Sequence, residues 1–287
     1  MTELKIISLV NQKGGTGKTT LTALIGIGLA MAGKKVLLID ADPQAHLSSF
    51  FIKSNELDSY PGILHMARGE KFRIVPINLE RVKGKLGLIP SNLNYLVDVY
   101  RGQIPVQDPF ALYKRLYREP AITKDYEWVI TDTPPELFAP TIWALYASNY
   151  LIIPSNLEEL SLMGIQIFTK DILPDVLSIN TDLNILGTVL IGVTRKHRIN
   201  TIKKTEDNLI KFIKDKIPRT LVSRFYSKLF FNTIIHSHHE LTNLIYRPKR
   251  WELPLSRLLT QNDKIKNEVT NLISEIESRI VNFQGLS

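Results

Sequence analysis

Two lysines, three carboxylates and a cluster of glycines are the groups in this sequence whose types and spacing could do chemistry. Asn11-Gln12-Lys13-Gly14-Gly15-Thr16-Gly17-Lys18-Thr19-Thr20 follows the apolar run Ile6 to Val10 and precedes a helical pattern. A phosphate chain packs several negative charges into a small volume. Its binder needs backbone N–H groups converging on one point, no Cβ in the way, and a helix N-terminus adding its dipole. Gly14, Gly15 and Gly17 permit that approach, Lys18 would reach the β- and γ-phosphates, and the Thr19 hydroxyl would complete the shell of a Mg²⁺ on the same oxygens. Residues Lys13 to Thr20, with Thr16 and Thr20 among them, are therefore expected to cradle a nucleoside triphosphate. The generic phosphate loop has glycine where Gln12 stands. Lys13 is an additional cation, costly beside the γ-phosphate site unless it pairs with nucleotide.

The carboxylates end apolar runs. Lys35-Val36-Leu37-Leu38-Ile39 finishes at Asp40-Ala41-Asp42-Pro43-Gln44, and Trp128-Val129-Ile130-Thr131 finishes at Asp132-Thr133-Pro134-Pro135. Such runs read as parallel strands buried on both faces, and acids at their C-terminal ends point into the crevice where open α/β sheets bind ligands. Asp132 is in position to hold a water on Mg²⁺. The tandem prolines stiffen the turn that follows, and residues 133–142 would read the γ-phosphate as a switch.

The remaining elements must hold these groups in place. Thr19 to Met31 reads as a helix with Leu21, Leu24, Ile25, Gly28 and Leu29 toward the sheet, ended by Gly33. Further strands are expected at 86–89, 150–155 and 186–193, and helices at 110–118, 158–173, 202–217 and 264–281. Residues 45–125 carry turn signals at Tyr60-Pro61-Gly62 and Lys83-Gly84 but are the least legible stretch. The whole reads as one doubly wound α/β domain over residues 1–287, a mostly parallel sheet with helices on both faces, whose part 195–287 is basic and helical.

At 287 residues and 44% hydrophobic content the chain can bury a large sheet. Cysteine is absent, which excludes disulfides, a thiol nucleophile and cysteine-ligated metal or iron–sulfur clusters. There is no signal-peptide layout and no apolar run long enough to span a bilayer, so a cytoplasmic protein is expected. The net charge of +8 is local: residues 195–250 hold 14 Lys+Arg against 4 Asp+Glu, a +10 stretch that suits a polyanion such as duplex DNA or an anionic membrane. His236-Ser237-His238-His239 lacks an evident acid or cysteine partner and reads as a polar surface loop rather than a metal site.

The phosphate loop, Asp-x-Asp-Pro-Gln at 40–44, Pro90-Ser91-Asn92, Asp132-Thr133-Pro134-Pro135 and Ile153-Pro154 stand in one order over residues 4 to about 195, and that order resembles the ParA/MinD group of deviant Walker A ATPases. The resemblance implies a P-loop fold, ATP and Mg²⁺ as cofactors, a catalytic set of Lys13, Lys18 and Asp42, and an Mg²⁺ set of Thr19, Asp40 and Asp132. In that group the extra lysine, here Lys13, crosses a dimer interface to the partner's nucleotide, and Asp42 would position the attacking water. The closest member type is a ParA partition ATPase without an N-terminal DNA-binding extension. It implies an ATP-dependent homodimer, non-specific double-stranded DNA, a ParB-like partner and a nucleoid location. Family members carry a basic DNA contact after the strand at 186–193, which Arg198 fits best; Lys203, Lys204, Lys249 and Arg250 are the other candidates. The family's Ile-Pro-Arg landmark before the adenine pocket is not found there, and Leu229-Phe230-Phe231-Asn232 stands instead.

Two rivals stay open at this stage: a MinD-like membrane-positioning ATPase and a nucleotide-binding regulator without turnover. Against the first, the polar side of the terminal helix carries Glu268, Glu275 and Glu277, which an anionic bilayer repels, so no membrane partner is expected and the helix should pack onto the domain.

Overall fold

A computed structural model describes residues 4–53, 55–79, 82–92, 108–137, 139–194, 199–241, 259 and 261–285. Eight strands form one sheet: β1 (Lys5–Leu9), β2 (Lys35–Asp40), β3 (Val75–Ile77), β4 (Lys85–Ile89), β5 (Trp128–Asp132), β6 (Tyr150–Ser155), β7 (Asn184–Val193) and β8 (Phe230–His236). Their order across the sheet is β3-β4-β2-β5-β1-β6-β7-β8, with only the β3–β4 pair antiparallel. The parallel strands are buried along nearly their whole length, which is why each reads as a continuous apolar run without alternation.

The helices are α1 (Lys18–Met31), α2 (His46–Ser49), α3 (Ile63–Ala67), α4 (Ala111–Arg118), α5 (Pro120–Thr123), α6 (Ala139–Ala147), α7 (Glu159–Ile167), α8 (Leu173–Ile179), α9 (Ile199–Lys216), α10 (Arg219–Val222) and α11 (Asp263–Gln284). α1 ends as expected: Gly33 adopts φ 89 and its amide reaches the Ala30 carbonyl at 2.9 Å. The helix read over 158–173 is instead two, α7 and α8, joined by a π turn at Phe168–Ile172. Pro174 in the first turn of α8 has no N–H to continue the α-helical ladder, so the wider turn carries the chain past it.

The terminal helix packs onto the sheet. Ile265, Val269, Leu272, Ile273, Ile276 and Ile280 are all buried, against α1, β7 and β8. Gly28 makes the close approach possible, because a Cβ there would lie 2.6 Å from Val269 Cγ1. Each such aliphatic side chain contributes roughly 1.5–3 kcal/mol. No helix among the described residues is long and apolar enough to cross a membrane. Strand β3 at the sheet edge and strand β8 escape the sequence reading: β3 is two half-buried residues flanking the exposed Pro76, and β8 is half-buried in its outer half, so neither has the signature of a central strand.

Candidate nucleotide site

The site forms where β1, β2 and β5 end side by side. Leu9 is in register with Asp132, and Asp132 with Asp40, so the loop leaving β1 and both acids share one row. The loop then turns into α1. Gly15 and Gly17 adopt φ 75 and φ 82, a region open to glycine at no steric cost, and a Cβ on Gly17 would lie 2.8 Å from Ile191 Cγ2. Thr16 is buried and its hydroxyl donates to the Lys13 carbonyl at 3.3 Å. Gly14 and Gly15 are exposed, and Thr19 and Thr20 begin the first turn of α1.

The two lysines differ. Lys18 is buried, and its ammonium donates to the carbonyls of Asn11 at 2.9 Å and Lys13 at 3.2 Å. Burial pushes it below the ordinary lysine value, while the charges of Asp132, Asp42 and Glu136 pull the other way. Lys13 is half-buried, and its backbone N–H donates to Asn11 Oδ1 at 3.0 Å. Among the described residues its ammonium has no hydrogen-bond or ion-pair partner.

The acids are held for different ends. Asp40 is fully buried: Oδ2 accepts from the Ser48 amide at 2.7 Å and hydroxyl at 2.6 Å, and Oδ1 from the Asp42 amide at 3.1 Å. Burial raises its carboxyl to about 7, with the Ser48 bonds opposing and the Asp42 charge adding to the rise. Asp42 caps the turn into α2 by accepting from the Gln44 amide at 2.9 Å, and burial raises it too. Asp132 is fully buried, and among the described residues its Oδ2 has no hydrogen-bond partner. Burial first and the Asp40 charge next lift it well above the usual carboxylate range, with the Thr19 hydroxyl and Lys18 opposing. A buried carboxylate oxygen without a donor, beside a threonine hydroxyl, fits a hard divalent cation. Ser91 ties the end of β4 to this cluster through a 3.0 Å bond from its amide to Ser48 Oγ.

The AAA domain family, in its ParA/MinD-like form, matches residues 4–185. The chain belongs to that family. It is similar to the sporulation initiation inhibitor protein Soj of Bacillus subtilis, 28% identical over 233 residues that cover 77% of this chain and 84% of Soj. It is also similar to the virulence plasmid ParA family protein pGP5-D of Chlamydia psittaci, 29% identical over 290 residues covering 99% and 98%. The solved structure of pNOB8 ParA shares its fold with a TM-score of 0.83 at 24% identity, covering 98% of this chain and 99% of that one. The complex of pNOB8 ParA with nonspecific DNA gives 0.80 at the same identity and coverage.

Other expected residues of this ParA-type chain stand apart from the loop. Lys203 and Lys204 are exposed on α9, together with Lys211, Lys214 and Lys216; Arg198, Lys249 and Arg250 lie outside the described residues. The chain's one Ile-Pro-Arg, residues 217–219, corrects the expectation that no such segment precedes Leu229: it closes α9 and opens α10. The adjoining Thr220 and Arg224 line a cleft of about 740 Å³ with Lys5, Tyr150 and Asn184, at the N-terminal ends of β1, β6 and β7. That is the end of the sheet opposite the phosphate loop, so the tripeptide is present but remote.

His236 and His238 do have an acid. Nδ1 of His236 is 2.8 Å from Glu268 Oε1 and Nε2 of His238 is 2.9 Å from Glu268 Oε2, across from α11. Among the described residues no group of three His, Cys, Asp or Glu is arranged to hold a metal. Sequence reasoning missed Asn11 and Ser48, which hold the loop and Asp40. For Asn11 the available signal was a polar residue just past the apolar run of β1; Ser48, within the short α2, carried none.

Proposed function

We propose that this chain is a ParA-like partition ATPase that hydrolyses ATP slowly on its own. It closes an ATP-dependent sandwich dimer, binds duplex DNA without sequence preference, and segregates plasmid or chromosomal DNA with a ParB-like partner while associated with the nucleoid. The observation that carries this reading is the contrast between two lysines on one loop. Lys18 is buried against its own loop carbonyls, ready to exchange them for phosphate oxygens. The Lys13 ammonium has no partner among the described residues and suits the nucleotide of a second copy.

In this reading the N–H groups of residues 14–19 and the start of α1 hold the β- and γ-phosphates. Thr19 and Asp132 would hold Mg²⁺, with Asp40 supporting them from behind through the Asp42 amide. Bound Mg²⁺ would neutralise charge on the phosphate oxygens. Asp42, fixed by the Gln44 amide, orients the attacking water. A lone carboxylate in that role accounts for slow turnover without a partner. The 133–142 segment, whose Glu136 is close enough to act on Lys18, would report γ-phosphate loss. Exposed lysines on α9 supply part of the DNA face, and two copies double the phosphate contacts.

The test compares duplex DNA binding with ATP, with ADP and without nucleotide at low salt. Binding with ATP alone supports the reading; equal binding with ADP, or none with ATP, rejects it.

A further inference from the structure

We infer that Asn11 is the positioning residue for Lys13 and that Gly164 on α7 holds Asn11 in that role. The inference rests on the proposal that Lys13 serves the nucleotide of a second copy.

Asn11 is buried, and its side chain is held at both ends. Oδ1 accepts from the Lys13 amide at 3.0 Å, and Nδ2 donates to the Pro154 carbonyl at 2.8 Å and to Ser161 Oγ at 3.4 Å. The Ser161 hydroxyl lies 3.1 Å from Ser155 Oγ, which accepts from the Leu157 amide at 3.3 Å. Leu157 adopts φ 64, a left-handed conformation that an L side chain adopts only under constraint. A continuous polar chain thus joins the phosphate loop to the strained β6–α7 turn. The carbonyls of Asn11 and Lys13 also receive the Lys18 ammonium, so this short segment is the support for both lysines.

Helix α7 crosses the segment at Gly164. A Cβ there would sit 2.8 Å from Asn11 Oδ1, with the Lys13 amide nitrogen at 3.6 Å and Lys13 Cβ at 3.8 Å. The end of a side chain ordinarily yields to such a methyl at little cost. Asn11 cannot, because moving Oδ1 gives up the Lys13 amide and moving Nδ2 gives up Pro154. Any side chain at 164 therefore turns the Lys13 peptide while leaving the glycine turn and α1 in place.

The experiment compares Gly164→Ala with Gly28→Ala, which puts a more crowded methyl well along α1, against Val269 and Ile273 of α11 rather than against the loop. The readouts are amide hydrogen exchange, ADP affinity and ATP-dependent dimerisation in the full chain. Gly164→Ala should expose the Lys13 amide to exchange at least about tenfold faster, keep ADP affinity within about threefold, and weaken ATP-dependent dimerisation about tenfold or more. Adding Lys13→Ala should cost nothing further, as for two residues acting through one contact. Gly28→Ala should lower thermal stability and leave all three readouts unchanged. Unchanged Lys13 amide exchange in Gly164→Ala overturns the inference, and so does a dimerisation loss that adds in full to that of Lys13→Ala. Wild-type protein that stays monomeric with ATP rejects the functional reading instead, and the amide exchange then still decides the role of Asn11 and Gly164.

Discussion

Asp40 and Asp132 are register partners on adjacent parallel strands and both are fully buried; burial raises both carboxyl groups, and the Asp40 charge adds to the rise of Asp132. Two acids in that position cost folding free energy, which a bound cation would offset. Asp132→Asn should therefore stabilise the protein in EDTA by about 1–2 kcal/mol, a rise of roughly 3–6 °C in melting temperature. The same variant should lose the further stabilisation that Mg²⁺ and ATP give the wild type. Differential scanning fluorimetry with and without both ligands measures the two effects. An unchanged or lowered melting point in EDTA would contradict the account of the pair.

Lys18 and Asp42 should separate binding from turnover. Lys18→Ala removes the cation within the cradle and should weaken ATP binding at least about 100-fold, near 2.7 kcal/mol. Asp42→Ala should bind ATP within about threefold of wild type and release phosphate at least about 100-fold more slowly. Equilibrium titration with a fluorescent ATP analogue, paired with a phosphate-release assay, reads both quantities.

The charge reversals Lys203→Glu and Lys204→Glu on exposed α9 should weaken binding to random and chosen duplexes alike. Removing one lysine–phosphate pairing lowers the slope of log affinity against log salt by roughly 0.9. Fluorescence anisotropy over a salt series measures the slope. A weakening confined to one sequence would point to base readout instead.

Glu275 gives acid stability its sign. Its carboxylate is drawn below the usual glutamate value: burial opposes this, but amides of Asn232 and Thr233 at 2.8 and 2.9 Å and Arg279 at 2.9 Å outweigh it. A group whose folded value is depressed contributes its stability above the unfolded value of about 4.3, and loses it as pH falls through the lower folded value. Glu275→Gln should cost about 3 kcal/mol at pH 7, because Arg279 is 1% exposed and would be left without its counter-charge. The gap to wild type should close below about pH 4. Urea unfolding at several pH values tests both statements.

What the sequence determined by itself was the set of buried strands and the order of groups at their ends. A strand covered on both faces must be apolar throughout, and an acid or a glycine loop closing such a run stands out by contrast. Hence β1, β2, β5 and β6, the loop at 13–20, Asp42 and Asp132 were legible, as was the buried stripe of α11 from its helical spacing. The antiparallel edge strand β3 and the half-buried β8 were not, because an edge position relaxes the demand for apolar residues. Tertiary structure alone decided which distant residues serve the site. Asn11 depends on Pro154, Ser161 and Gly164, Asp40 on Ser48, and the Ile-Pro-Arg at 217–219 stands at the far end of the sheet. The hydrogen bonds among these pairings span up to 150 residues of chain. Local pattern carries no trace of them, since a hydrogen bond fixes geometry in space and leaves no periodicity in sequence.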